Sequence, residues 1–188
     1  MPRRAVTLLL LCLSVMPATL RAEEQADCPA APDHAVEKAA LLAELRDARD
    51  AAAAAAITAD LWRLWTDAPD PSAQEMLDAG MALIRSADYA ASEAILDGLV
   101  AYCPDYPEGW NQRAFARFLS GSFGAALDDL DRALAIDPRH VPALAGKALV
   151  LMHLGRHPEA QIVLREAVRM NPWLAERILL TIPMDVQL

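Results

Sequence analysis

The side chains in this sequence that could carry chemistry are few and scattered. Cys28 and Cys103, each followed by proline, are thiols that either pair or stand alone, and the redox compartment decides which. His153 and His157 stand four apart, a spacing that could offer two imidazoles to one metal. Gly155 breaks a helix between them and Pro158 begins the next, so two surface histidines are the expectation. Asp128, Asp129 and Asp131 resemble a calcium or general-acid cluster, but calcium needs an oxygen-rich loop. On a helix they read as a solvated acidic face. Gly121-Ser-Phe-Gly124 is a turn rather than a phosphate cradle. No histidine pair flanks a helical glutamate, and no serine elbow appears. Trp62 and Trp65, three apart, could line a small-ligand pocket, although such pairs usually belong to a core. The expectation is therefore no enzyme, no cofactor and no metal.

The start of the chain sets the compartment. Arg3 and Arg4 precede an apolar run from Ala5 to Met16, and Leu20-Arg21-Ala22 supplies a small residue before Glu23. This reads as an export signal over residues 1–22, cleaved after Ala22 or, second, after Ala18. The run is too short to span a bilayer, which needs roughly 20 residues, so no stable membrane insertion is expected after cleavage. A retained interfacial anchor is the alternative, and Cys12, mid-run behind leucines, does not suit a lipoprotein. The periplasm is the expected destination, with release to the medium as the second choice. In that setting Cys28 and Cys103 are expected to pair, the alternative being separate thiols with Cys103 packed at its helix end. Formal net charge is −9, from 17 basic and 26 acidic residues, and cleavage would remove three arginines. Such a balance repels phosphate backbones and argues against nucleic acid.

The elements that hold these residues follow from a pattern that recurs every 34 positions. Small residues return at Gly80, Ala114 and Ala148, and turn residues at Ala87, Gly121 and Gly155. Rings return at Tyr89, Phe123 and His157, leucines at Leu96, Leu130 and Leu164, and prolines at Pro104, Pro138 and Pro172. Each unit reads as two apolar-periodic helices around a short turn, and proline stops the second. Such hairpins bury their apolar faces only by stacking. The composition agrees: 55% hydrophobic, rich in alanine, and only 5% aromatic.

The spacing resembles the tetratricopeptide repeat family, through Trp110, Ala114, Ala126, Leu130 and Pro138 in the second unit. Arg113 and Arg117 depart from the family's leucine and tyrosine, and Met76 and Leu144 replace the tryptophan in the flanking units. The resemblance implies an all-α fold, a right-handed α-α superhelix of three hairpins over 73–106, 107–140 and 141–172. Residues 23–72 are expected as a linker and helical hairpin that caps the first repeat with its two tryptophans. An end helix should cover 172–180, and 181–188 a tail.

The resemblance also implies a concave groove, lined by the first helix of each repeat, that receives a peptide or partner protein. The matching positions are Gln74, Leu77, Met81 and Arg85, then Glu108, Asn111, Gln112, Phe115, Phe118 and Leu119, then Ala145, Leu149, Met152 and His153. Some of these rings could instead belong to the inter-helix core. Family members that clamp the carboxylate tail of cytosolic chaperones use lysines, asparagines and an arginine. Here those positions hold Leu77, Met81, Gln112, Pro142 and Gly146, so no clamp is expected. The second functional class, a small-ligand or enzymatic domain, would use the tryptophan-rich segment.

Overall fold

The computed structural model describes residues 27–181, so the segment expected to be an export signal, 1–22, and the residues after Thr181 lie outside the described residues. Eight α-helices follow in order: α1 (Ala35–Arg46), α2 (Ala51–Trp65), α3 (Pro71–Arg85), α4 (Tyr89–Tyr102), α5 (Pro107–Leu119), α6 (Phe123–Ile136), α7 (Val141–His153) and α8 (His157–Met170). A short 3-10 turn over Ala175–Leu179 closes the series, and the described residues include no strand. The alanine run Ala51–Ala56 is helical, as alanine's low entropic cost dictates. Asp50, Asp70 and Asp88 each accept the backbone N–H three residues on, capping α2, α3 and α4. α1 ends at Arg46, where the Asp47 N–H closes the last turn, and α2 starts anew after Asp50.

Each repeat makes the same turn by the same means. Backbone φ is 62° at Ala87, 82° at Gly121 and 74° at Gly155, all left-handed. Around each, a carbonyl three residues back and another five back from the following residue are capped, as at Ile84 and Leu83 in the first repeat. This is the Schellman arrangement, which glycine adopts freely and a Cβ strains. The first repeat carries that strain at Ala87.

Paired helices α3/α4, α5/α6 and α7/α8 stack, with α4 on α5 and α6 on α7. At Gly80 an added Cβ would stand 2.7 Å from the Leu96 side chain, so the close crossing of α3 and α4 requires glycine there. Leu96, Leu99, Tyr106 and Ala116 cover the apolar side of α3, and Leu127, Leu130, Val150 and Leu151 form the equivalent core between the second and third repeats.

The N-terminal hairpin does not cap the first repeat as expected. Leu42, Leu45, Ile57, Leu61 and Trp65 pack with Val141 at the start of α7, and Met170, Trp173 and Leu174 join them. On α3, Ala73 and Leu77 are already buried with Leu96, Leu99 and Ala116, and the apolar surface that receives the hairpin lies at the third repeat and the segment after α8. Lys38 Nζ binds Asp137 Oδ2 at 2.6 Å, and the Tyr106 hydroxyl donates to the Trp65 carbonyl at 2.9 Å. Burial pushes the Tyr106 phenol far above its ordinary ionisation range, which keeps it a donor. The first repeat is covered instead by the segment before α1. Cys28 and Ala31 pack on its core, and Cys28 is bonded to Cys103 with a Cα separation of 5.2 Å.

The expected end helix from Pro172 to Leu180 is also corrected, to the five-residue 3-10 turn. Asn171 Oδ1 captures the Trp173 N–H, and Trp173 and Leu174 turn toward the hairpin, which takes them off a helical path.

Two outcomes follow. Ala87→Gly should raise unfolding free energy by about 1 kcal/mol, read by urea denaturation, since it relieves a left-handed alanine. The second concerns pH. Burial opposes ionisation of Asp137, but the Lys38 hydrogen bond and charge outweigh it and hold its carboxyl below the ordinary 3.8. A depressed folded-state value means the pair contributes fully above 3.8 and loses its contribution as pH falls below it. Near-UV circular dichroism of the hairpin tryptophans should weaken over that acid window, and Asp137→Asn should remove that dependence.

Candidate functional site

The first helices α3, α5 and α7 form a concave face, and the α1–α2 hairpin lies across part of it as a roof. Between them is a cleft of about 510 Å³. Leu42, Leu45, Thr58, Leu61, Trp62 and Trp65 line it from the roof. Met81, Ile84 and Arg85 line it from α3, and Asn111, Gln112, Phe115 and Phe118 from α5. From α7 come Val141, Pro142, Ala145, Gly146 and Leu149, and from the chain end Asn171, Leu174 and Glu176.

Of the positions expected in the groove, Met81, Arg85, Asn111, Gln112, Phe115, Phe118, Ala145 and Leu149 therefore line this cleft. Others do not. Leu77 is wholly buried in the first-repeat core, because its position on α3 packs with Leu96 and Leu99. Gln74 turns to the Ala68 N–H and to Asp78. Leu119 is exposed beside the cleft rather than within it. His153 stacks on Phe123 at 4.7 Å and meets the edge of Phe118 at 5.1 Å, while Met152 packs into the core against α8. His157 begins α8 and is exposed, so the two histidines share no ligand site.

Glu108 is corrected from groove edge to interior, with no solvent exposure. Asn111 and Gln112, three and four residues on, turn their amide nitrogens to its carboxylate. Across the helix pair, His140 Nδ1 accepts the Ala143 N–H, leaving the ring hydrogen on Nε2, which lies 2.9 Å from Glu108 Oε2 but off the N–H axis. The Trp65 ring lies against His140, centroids 5.1 Å apart. Trp65 Nε1 is a buried donor with no acceptor. Sequence reasoning missed this Glu108–His140–Trp65 group, since its members are far apart in the chain and carry no motif.

The acidic run is corrected too. Asp128 and Asp131 are exposed, but Asp129 is buried between two arginines. Arg113 grips it through Nε and Nη2, at 3.0 and 2.7 Å, and Arg117 Nη1 adds a bond of 2.8 Å. Asp97 and Glu93 bind the same guanidinium groups from α4. Burial works against the Arg113 charge, and its bonds to Asp129 and Asp97 more than offset this and raise its pKa. The departures at 113 and 117 from the family's leucine and tyrosine are thus compensated by acids on α4 and α6. Among the described residues no three histidine, cysteine or acidic side chains gather as a metal site, and no helix is long and apolar enough to cross a membrane.

Two family models described as tetratricopeptide repeat match residues 77–141 and 117–172, together slightly more than half of the chain. The chain belongs to the tetratricopeptide repeat family. A TPR repeat-containing protein of Rhizobium etli is 32% identical over 91 residues, which span 48% of this chain and 45% of that protein. The match thus covers less than half of the relative's length. Among solved structures, the Sgt2 TPR domain from Aspergillus fumigatus has 19% identity and a TM-score of 0.52, over 54% of this chain and 67% of that one. The first TPR of Spaghetti (RPAP3) bound to an HSP90 peptide has 19% identity and a TM-score of 0.55, over 56% and 83%. A mutant of MamA has 20% identity and a TM-score of 0.50, over 74% and 98%. At such identities the likeness concerns the fold.

Core and cleft positions in this TPR chain should separate under mutation. Leu77→Ala should cost about 2–5 kcal/mol in urea denaturation, whereas Phe115→Ala, whose ring is 46% exposed, should stay within about 0.5 kcal/mol.

Proposed function

We propose that this chain is a non-catalytic, exported scaffold that holds a segment of a partner protein at the open end of its concave cleft. One observation carries the reading. Phe115 lines the cleft with Met81, Arg85 and Leu149 yet stays 46% exposed, and Leu119, one turn on along α5, is 37% exposed. Apolar side chains left open next to a shaped cleft mark an interaction surface. Family membership supports a binding role, and one structural neighbour holds an HSP90 peptide. The partner chemistry differs from that acidic peptide, SRMEEVD. The cleft lacks a cluster of cations, with Arg85 its single basic liner and Glu176 its single acidic one, so an apolar segment suits it better than an acidic tail. Export is supported by the leader-like start and by a Cys28–Cys103 bond that an oxidising compartment would preserve.

The test is a crosslinked pull-down of the mature protein from its own envelope fraction. Phe115→Ala combined with Leu119→Ser should lower capture at least tenfold while helical content and melting stay near wild type. Capture that survives both substitutions would remove the cleft's open end from the reading. Two titratable thiols in the denatured exported protein would remove export's structural support.

A further inference from the structure

Polar groups free to hold a partner in the cleft are fewer than its lining suggests. The Thr58 hydroxyl donates to the Ala54 carbonyl, and the amide nitrogens of Asn111 and Gln112 are turned to Glu108. Asn171 Oδ1 accepts the Trp173 N–H. Arg85 and Glu176 remain, and they are the only charged residues among those that line the cleft. Arg85 is exposed and Glu176 half-buried. Arg113, Arg117, Lys147 and Arg156 are each held by an acid, whereas neither Arg85 nor Glu176 has a side-chain partner among the described residues. The lining they share is otherwise mainly apolar, with Met81, Phe115 and Leu149 in it.

The two charges stand at opposite ends of the array. Arg85 lies in the last turn of α3, the first helix of the first repeat. Glu176 lies in the 3-10 turn after α8, beyond the third repeat. α5 packs against both α3 and α7 and so separates those two helices. Packed helix axes are about 8–10 Å apart, so two such steps set α3 and α7 roughly 16–20 Å apart. An extended chain, rising about 3.3 Å per residue, crosses that distance in about five or six residues. Over the same span an α-helix about 10 Å across would fill about twice the 510 Å³ of the cleft, so the extended form is the one that fits. A base set against Arg85, or an acid against Glu176, meets like charge, which selects against segments of a single sign.

We infer that the cleft takes an extended segment whose apolar run is flanked by one acidic and one basic side chain about five or six residues apart, the acid pairing with Arg85 and the base with Glu176. This rests on the partner reading above and adds the charge pattern of the partner to it.

The experiment titrates the purified protein with synthetic peptides by isothermal calorimetry. Each peptide holds the same run of leucine and phenylalanine, with its ends acetylated and amidated. The run is flanked by aspartate and lysine, by two aspartates, by two lysines or by two glutamines. Either chain direction satisfies the pairing, so the mixed peptide is used in both orders and the tighter one is scored. Exposed pairs are each worth up to about fivefold, so the mixed peptide should bind about three- to twentyfold more tightly than the glutamine peptide. The two like-charged peptides should bind no better than the glutamine peptide, and added salt should erase the advantage of the mixed one. Arg85→Glu makes both ends acidic and should move the preference to the two-lysine peptide. Glu176→Lys makes both ends basic and should move it to the two-aspartate peptide, with helical content unchanged in both variants. Equal binding of the mixed and glutamine peptides, or a preference that neither charge reversal moves, overturns the charge pattern and leaves the partner reading standing. Absence of saturable binding by every peptide, or binding that Phe115→Ala combined with Leu119→Ser leaves intact, overturns the partner reading and this inference with it.

Discussion

A stack of helical hairpins leaves one curved face without a covering layer, and burying part of that face is the constraint around which this molecule is arranged. The α1–α2 hairpin meets it by laying Leu42, Leu45, Leu61 and Trp65 toward Val141, Trp173 and Leu174. Burial of side chains of this size is worth about 1.5–3 kcal/mol each, far more than the exposed pairs around them. The partly buried Lys38–Asp137 pair, the Tyr106 hydroxyl and the Cys28–Cys103 bond then fix where the hairpin lies. Hydrophobic area supplies the driving force, and these polar and covalent links supply direction.

Polar groups inside the stack do a related job. Glu108 on α5 gathers Asn111 and Gln112 from its own helix and faces His140 at the foot of α7. Asp129 on α6 holds Arg113 and Arg117 of α5, which in turn reach Asp97 and Glu93 on α4. Buried ion pairs contribute little net stability against apolar alternatives, but losing one partner leaves a charge that is expensive to keep dry. These two groups therefore fix the register of neighbouring hairpins more than they strengthen them.

Much of this was legible in the chain itself, and the limits have physical causes. The 34-residue recurrence located turns at Ala87, Gly121 and Gly155 because a left-handed residue is a local requirement. The pairing of two cysteines was readable once their compartment was inferred. The destination of Trp62 and Trp65 was not, since nothing in a helix's own periodicity says which distant surface its apolar stripe will meet. Leu77 shows the same limit in reverse: family position placed it in the groove, and packing of α3 against Leu96 and Leu99 put it in the core. Asp129 looked solvated because it stands between two other aspartates, Asp128 and Asp131, on one helix; its arginine partners lie 12 and 16 residues away. Cleft residues on α5 and α7 were easier, because each repeat presents the same helix face to the concave side.

The roof also changes what kind of object the stack is. In an open solenoid each unit touches only its neighbours, so stability accumulates unit by unit and ends can be trimmed or extended. Here residues near 42–65 rest on residues near 141–174, joining the two ends of the array through space. Contacts of such long sequence separation slow folding and bind distant segments into one cooperative transition. The hairpin precedes the repeats in the chain and cannot settle until the third repeat has formed. Inserting a further unit between them would slide its landing site away, so a chain of this design is confined to its present number of repeats.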